Sequence, residues 1–138
     1  MIHVDHFSCQ PTQRGRSKIV EEPQAPKYEV GEALVLLGSA EKGDESNIEN
    51  VCSKAAAEVL DHATQLKVKT IVIHPFAHLF GELSTPEVAV EAFSTLEEKL
   101  SKVGFTVLRT PFGWFNTLSI KAKGHPLSRV ARIITPDT

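Results

Sequence analysis

Residues 70–79 read Thr-Ile-Val-Ile-His-Pro-Phe-Ala-His-Leu, and they predict the centre of the fold. Its first four residues predict a strand that is buried on both faces. Pro75 cannot continue a regular element, so the strand delivers His74 at its carboxyl end. In α/β proteins the carboxyl ends of parallel strands form the edge where ligands bind. The stretch therefore predicts both a central strand and the rim of a site.

Two helices flank this strand in the sequence. The capping box Ser46-Asn47-Ile48-Glu49 predicts a helix over residues 47–66. Its apolar residues recur at helical spacing, at Ile48, Val51, Cys52, Ala55, Val59, Leu60 and Ala63. A second helix is predicted behind the cap Thr85, with Pro86 in its first position and Gly104 at its end.

The remaining segments mostly predict strands. Ala33-Leu34-Val35-Leu36-Leu37 is a continuous apolar run, which is typical of a central strand. Shorter or alternating patterns predict three more strands, over residues 1–7, 105–108 and 114–122. Residues 10–28 predict a loop or an irregular edge hairpin. The order strand–helix–strand–helix–strand over residues 33–110 implies right-handed crossovers and a largely parallel centre. We therefore predict one α/β domain over residues 1–138, with a mixed β-sheet, antiparallel flanking strands and two main helices.

The composition is that of a soluble globular domain. Of the 138 residues, 41% are hydrophobic and 23% are charged. No apolar run approaches the roughly 20 residues that cross a bilayer, and the amino terminus lacks the features of a signal peptide. We therefore predict a cytoplasmic protein without a membrane partner. The two cysteines make no disulfide framework: Cys52 is predicted to be buried in the first helix, whereas Cys9 follows the first strand and could be exposed.

Charge is distributed unevenly along the chain. The net charge is −2, but residues 1–100 contain 9 basic against 16 acidic side chains, and residues 101–138 contain 6 against 1. A basic carboxyl-terminal third suits a polyanionic partner on one face. Chance clustering in a small protein explains the same numbers equally well.

The first segment with residues able to bind or react is 74–79. His74 and His78 are four residues apart, a spacing that suits two metal ligands on a helix. Pro75 argues against a helix here, and no HExxH-type glutamate lies between the two histidines. The segment is therefore open to three interpretations: a turn with polar tips, a metal site, or a binding rim of exposed backbone N–H and C=O groups.

Two later segments also carry candidate residues. Pro111-Phe112-Gly113-Trp114-Phe115-Asn116 places three aromatic rings beside a glycine, where rings either fill a core or stack against a base. Lys121-Ala122-Lys123-Gly124-His125-Pro126-Leu127 ends a strand with two lysines, which either contact phosphate or protect a sheet edge. The sequence has no GxSxG, P-loop or GxGxxG motif, so no motif indicates a nucleophilic side chain.

In combination these segments resemble the N-terminal editing domain of archaeal threonyl-tRNA synthetase, which has the fold of D-aminoacyl-tRNA deacylases. The resemblance runs along most of the chain. It rests on Pro-Phe-Ala-His-Leu at 75–79 and Lys-Gly-His-Pro-Leu at 123–127, in that order. It implies hydrolysis of serine from mischarged Ser-tRNA(Thr), with no cofactor or metal. It also implies a homodimer that acts on the tRNA(Thr) 3′ end, together with the rest of a threonyl-tRNA synthetase or with a separate synthetase.

The resemblance also implies the residues of the site. The substrate-binding residues would be Ala40, Pro75, Phe76, Ala77, His78, Phe112, Phe115 and Asn116. His78 and Asn116 are the candidate catalytic side chains, beside the 2′-OH of the terminal adenosine, which would be the main catalytic group. Lys121, Lys123 and Arg129 are the candidate tRNA contacts.

Three positions depart from the pattern of that family. Asn116 stands where a lysine is common, Arg129 where a glutamate is common, and Phe115 where a tyrosine is common. These changes agree with hydrolysis that the substrate assists and in which backbone N–H groups stabilise the oxyanion. Two other functions remain open. One is a non-catalytic tRNA-binding module, and the other is a small-molecule or metal-dependent hydrolase that uses His74 and His78.

Overall fold

The computed structural model describes residues 1–77 and 81–137. The chain folds into a curled mixed sheet of six strands, with two helices. The strands are β1 (Ile2–Arg14), β2 (Tyr28–Val30), β3 (Ala33–Gly38), β4 (Thr70–Pro75), β5 (Thr106–Arg109) and β6 (Trp114–Ala122). The helices are α1 (Ile48–Leu66) and α2 (Pro86–Lys102), and a 3-10 turn spans Lys42–Ser46. Neither helix is long and apolar enough to cross a membrane, within the described part of the chain.

The sheet has a parallel centre and antiparallel flanks, as predicted. The hydrogen-bonded order is β2-β1-β3-β4-β5. Strands β2 and β3 pair with successive parts of one edge of β1, and β6 pairs with the opposite edge. Strands β3, β4 and β5 run parallel, whereas β1 is antiparallel to β2, β3 and β6. The two crossovers between parallel strands are α1 and α2, because a parallel connection needs a long return segment.

The first strand is longer than its sequence predicts. Residues 10–14 were expected to belong to a loop or an irregular edge hairpin, but they extend β1, since Gln10 pairs with Thr117 and Arg14 with Trp114. Pro11 is accommodated because the register shifts between Pro11 and Gln13. The pairing partner is about a hundred residues away, so local composition could not reveal this extension. Strand β2 was likewise not predicted.

Both cysteines are buried and free. The burial of Cys52 confirms its prediction, whereas an exposed Cys9 is wrong, since its side chain is only 2% exposed. The extension of β1 explains the difference, because it places Cys9 in a core cluster with Phe7 and Tyr28. Burial raises the pKa of each thiol to about 11.

The helix ends agree with the sequence in one case and differ by one residue in the other. The side chain of Thr85 accepts a hydrogen bond from the Val88 amide, and Pro86 begins α2, as predicted. The capping box that begins at Ser46 is wrong, because Asn47 is the cap of α1 and accepts from the Asn50 amide at 3.1 Å. Ser46 instead donates to the Gly43 carbonyl, within the preceding 3-10 turn.

Two clusters of buried side chains cover the two faces of the sheet. The helices pack over one face, where Leu34, Ile71 and Ile73 belong to the larger cluster. On the other face Val35 and Val72 pack with residues of β1 and β2. Because neighbouring residues of β3 and β4 serve opposite clusters, both strands must be apolar throughout, and this is the pattern that their sequences show.

Candidate functional site

A cleft of about 430 Å³ lies at the carboxyl ends of β3 and β4. Segments from distant parts of the sequence line it, and they include seven of the residues predicted to bind substrate: Ala40, Pro75, Phe76, Ala77, Phe112, Phe115 and Asn116. The eighth, His78, lies outside the described residues. The tertiary structure thus brings the predicted rim, the aromatic segment and Ala40 to one place.

The parallel pairing of β3 and β4 builds one wall of the cleft. Gly38 lies opposite Pro75, and the Phe76 amide donates to the Gly38 carbonyl at 2.7 Å. The Ala40 carbonyl accepts from the Ser84 amide at 3.1 Å. Ala40 is buried and Ala77 is exposed, so small side chains stand on backbone that hydrogen bonds fix in place.

The opposite wall combines β6 with a loop that follows β1. Gly15, Arg16 and Ser17 line the cleft, although nothing in the sequence singles them out. The Gly15 amide donates to the Gly113 carbonyl at 2.7 Å. A Cβ atom at residue 15 would lie only 2.6 Å from that oxygen, so this approach requires glycine. Gly15 and Gly113 are the sequence features that could have predicted this wall. Their hydrogen bond to each other, however, cannot be inferred from the sequence.

The imidazole of His74 lies at the inner side of the cleft. It is 4% exposed, and its Nδ1 is 2.8 Å from the hydroxyl of the fully buried Thr110. Burial lowers the pKa of His74, because desolvation penalises the imidazolium. His74 is therefore neutral at pH 7 and able to offer or accept one hydrogen bond without adding charge.

Two polar atoms of the cleft have no hydrogen-bond partner among the described residues. They are the Ser39 hydroxyl and the Asn116 Oδ1, and both are buried. The Asn116 Nδ2 donates to the Trp114 carbonyl at 3.1 Å, which fixes the amide with its oxygen as the unused group. A buried polar atom without a partner costs about 1–3 kcal/mol. Both residues line the cleft, which suggests that a bound molecule supplies what the chain does not.

The described residues include no cluster of His, Cys, Asp or Glu that could hold a metal ion. His74, one of the two histidines considered as ligands, already uses Nδ1 for Thr110. The other histidine, His78, lies outside the described residues.

The predicted tRNA contacts do not line the cleft. Lys123 is paired with Asp5 and lies 3.6 Å from Glu32, beside the amino-terminal end of β3. Lys121 is exposed on β6, and Arg129 forms an isolated bridge with Ile2. His125 of the Lys-Gly-His-Pro-Leu motif lies in the same region, with its Nε2 2.9 Å from Nδ1 of the buried His3.

Most of the basic side chains of the carboxyl-terminal third form ion pairs within the domain. Four of the six basic residues after position 100 pair with carboxylates from the first hundred residues. The pairs are Lys102–Glu98, Arg109–Glu21, Lys123–Asp5 and Arg132–Glu58. Lys121 and Arg129 are exposed and take no part in these four pairs, so part of the positive charge of this third is neutralised within the fold and part is not.

A second depression, of about 490 Å³, lies between α1 and the carboxyl-terminal segment. Lys54, Glu58 and Asp61 of α1 line it, together with residues 133–135. None of the predicted site residues lies there, so the cleft at the ends of β3 and β4 is the candidate functional site.

Comparisons with known proteins identify the family to which the chain belongs. A family model described as the archaea-specific editing domain of threonyl-tRNA synthetase matches residues 1–134. The chain is 38% identical over 137 residues to the threonine–tRNA ligase of Methanococcus aeolicus, covering 99% of this chain and 21% of that protein. It is 39% identical to the threonine–tRNA ligase of Methanopyrus kandleri, with 99% and 22% covered. Identity to the Methanocaldococcus jannaschii enzyme is 40% over 134 residues, with 97% and 21% covered.

The chain thus spans about a fifth of the length of these relatives. The match extends over nearly all of this chain and includes every segment that lines the cleft. The chain belongs to the family of archaea-specific editing domains of threonyl-tRNA synthetase.

Proposed function

We propose that the cleft removes serine from mischarged Ser-tRNA(Thr) by hydrolysis of the ester at the terminal adenosine. The observation that carries this proposal is the convergence of Ala40, residues 75–77 and the aromatic segment 112–116 on one cleft. Its volume of about 430 Å³ is in the range of small-molecule sites. The ester and the adenosine are the parts of the substrate that this cleft would receive.

A second site is needed because serine is smaller than threonine and keeps the hydroxyl group. In an aminoacylation site built for threonine, the missing methyl group weakens the binding of serine by only about 1–3 kcal/mol. The site therefore discriminates against serine by only roughly 10–200-fold. A hydrolytic site corrects this if it is too tight for the methyl group. Ala40 and Ala77 support such a site, because they bring rigid backbone close to the bound amino acid.

The proposed reaction takes its main catalytic group from the substrate. Water adds to the ester carbonyl carbon, the bond from that carbon to the ribose oxygen breaks, and this oxygen takes a proton. The neighbouring ribose hydroxyl, the 2′-OH, orients and activates the water, and the backbone N–H of Ala77 stabilises the oxyanion, since Pro75 has no N–H and the Phe76 amide is bonded to the Gly38 carbonyl. None of the described residues lining the cleft is acidic, and burial keeps His74 neutral. Both observations support a reaction whose main catalytic group comes from the substrate.

The test replaces the terminal adenosine of Ser-tRNA(Thr) by its 2′-deoxy form. Hydrolysis should fall by at least about 10²-fold, the lower range for a positioned acid–base group, while binding of the RNA stays nearly unchanged. Serine release is measured by a filter assay and binding by competition. Hydrolysis of the deoxy substrate at the normal rate would place catalysis on the protein, with His78 the first side chain to test.

Threonine provides the control for selectivity. Thr-tRNA(Thr) should be spared under conditions in which Ser-tRNA(Thr) is hydrolysed. Equal rates for the two substrates would overturn the size-exclusion role of Ala40 and Ala77. Binding without release of serine above the uncatalysed rate would favour the non-catalytic RNA-binding module.

We also propose that the domain acts as a homodimer, with the rest of a threonyl-tRNA synthetase or beside a separate synthetase. Phe115 and Leu118 of β6 are exposed, at 58% and 43%, although both line the cleft. The edge of β6 that faces away from β1 has no strand partner among the described residues. Sedimentation equilibrium gives the mass in solution, and a monomer at micromolar concentration would contradict the dimer.

A further inference from the structure

We propose that Arg16 is the phosphate-binding residue of this cleft and contacts the backbone phosphate next to the terminal adenosine. This inference rests on the proposed function, because it identifies where the RNA strand enters the same site. Its support comes from the charge of the cleft, the surroundings of the Arg16 side chain and the position of the other basic residues.

Arg16 is the one charged side chain among the described residues that line the cleft. The remaining lining residues are apolar or neutral, so an anionic group that approaches this cleft meets its positive charge at Arg16. A guanidinium also presents a planar set of N–H donors that matches phosphate oxygens in a bidentate arrangement.

The guanidinium is available for a ligand. Arg16 is exposed, and within residues 1–77 and 81–137 it has no hydrogen-bond or ion-pair partner. Its neighbour Arg14 differs in this respect, because it lies 3.8 Å from Glu22. A free cation at the mouth of a neutral cleft is the arrangement expected for phosphate contact.

The backbone that carries Arg16 is held in place. The Gly15 amide donates to the Gly113 carbonyl, and the Glu21 amide donates to the Phe112 carbonyl at 3.0 Å. Arg16 lies between these two attachments. Its Cα position is therefore fixed relative to the aromatic segment, and only the side chain has to be ordered when phosphate binds.

Lys123, which the resemblance suggested as a tRNA contact, is remote from the cleft and already paired. Lys123 is five residues beyond Leu118, the lining residue of β6 nearest to it, which corresponds to about 16 Å along a strand. The phosphate attached to the terminal nucleoside lies within one nucleotide of the ester and must fall at the mouth of the cleft. Lys123 is also neutralised by Asp5 and Glu32.

The test measures kcat/KM for Ser-tRNA(Thr) as a function of KCl concentration. Loss of one phosphate contact to single-stranded RNA should reduce the slope of log kcat/KM against log[KCl] by about 0.7. Arg16→Gln should show this change, with kcat/KM about 10-fold lower at low salt, whereas Arg16→Lys should retain most of the slope.

Two matched variants separate a contact from a general effect of charge. Arg14→Gln removes a nearby arginine that is paired with Glu22, and Lys18→Gln removes an exposed lysine that does not line the cleft. Each removes one positive charge from the same segment. Both should keep the wild-type slope. A Lys18→Gln slope reduced as much as that of Arg16→Gln would overturn the contact in favour of a diffuse field.

A binding assay distinguishes this inference from the proposed function. The probe is a short single-stranded RNA with the acceptor-end sequence and serine attached through an amide, which cannot be hydrolysed as an ester. A lower salt slope of binding for Arg16→Gln supports the phosphate contact even if wild-type hydrolysis is not seen. Wild-type hydrolysis with an unchanged slope in Arg16→Gln would overturn the contact and leave the proposed function standing.

Discussion

Burial of the His74 imidazole makes the stability of the domain depend on pH. The ring packs edge-on against Phe7, with centroids 5.7 Å apart, and its Nδ1 is bonded to Thr110. Desolvation lowers the pKa of His74 below its usual 6.5 in the folded state. The folded protein therefore disfavours the proton that the unfolded chain binds.

Stability should be constant with respect to His74 above about pH 7.5 and fall as the pH drops below 6.5. The fall continues until the folded-state pKa is reached, with a slope of at most about 1.4 kcal/mol per pH unit. Urea unfolding at pH 7.5, 6.5 and 5.5 measures it. His74→Asn should flatten this part of the curve, and the same pH dependence in both proteins would show that His74 does not contribute.

At the scale of elements, Glu21 fastens the loop after β1 to the turn between β5 and β6. Its carboxylate accepts from the Arg109 guanidinium at 2.7 and 2.8 Å and from the Phe112 amide at 3.1 Å. Its carbonyl accepts from the Trp114 indole at 2.8 Å. These contacts hold the wall that contains Arg16 against the aromatic wall.

Glu21→Ala should destabilise the domain by about 1–3 kcal/mol, because it leaves the partly buried Phe112 amide without this acceptor and leaves Arg109 with Glu97 as its remaining carboxylate partner among the described residues. It should also lower kcat/KM for the proposed hydrolysis by roughly 10-fold, since misplacing a binding group is costly. Urea unfolding and the serine-release assay measure the two effects.

Glu22→Ala is the matched control for this change. Glu22 is the next residue, is largely exposed and lies 3.8 Å from Arg14. Exposed pairs contribute about 0–1 kcal/mol, so this variant should behave like the wild type. Equal effects of the two substitutions would contradict the role of Glu21.

At the scale of the whole molecule, the carboxyl-terminal segment runs back along α1. Four helix residues at intervals of four contact it, and they are Asn50, Lys54, Glu58 and His62. Asn50 is hydrogen-bonded to Asp137, and Lys54 contacts the Thr135 carbonyl and the Asp137 carboxylate. Glu58 pairs with Arg132, and His62 is hydrogen-bonded to the Leu127 carbonyl. Residues four apart lie on one face of a helix, so the contacts form a stripe. The amino-terminal ammonium also donates to the Val130 carbonyl at 2.7 Å.

The double variant Asn50→Ala, Lys54→Ala should release the end of this segment without unfolding the domain. Each of the two side chains contributes about 0.5–1 kcal/mol through its exposed contacts, so the loss of both should make local opening roughly 5–30-fold more frequent. Trypsin cleavage after Arg132 reports the opening. Gln65→Ala is an exposed change on α1, and among the described residues Gln65 has no hydrogen bond to the segment, so this variant should leave the cleavage rate unchanged. Unchanged cleavage in the double variant as well would show that the stripe does not hold the segment.

Local sequence patterns were enough to predict the alternation of strands and helices, the cap and proline that begin α2, and the position of His74 and Pro75 at a strand end. These follow from periodicity and backbone chemistry among neighbouring residues, which act wherever the chain goes. The placement of Ala40 beside Ala77 in one cleft came instead from the family resemblance, and the two residues do line the same cleft.

Tertiary packing is responsible for the extension of β1, the burial of Cys9, the pairing of Arg109, Lys123 and Arg132 with distant carboxylates, and the place of Arg16 in the cleft. Each depends on which remote segment packs alongside, as Gly113 does for Gly15 and Trp114 for Arg14. Such pairings gain their free energy from contacts between residues about a hundred positions apart. No local pattern records them, because the same short segments would be stable in other surroundings.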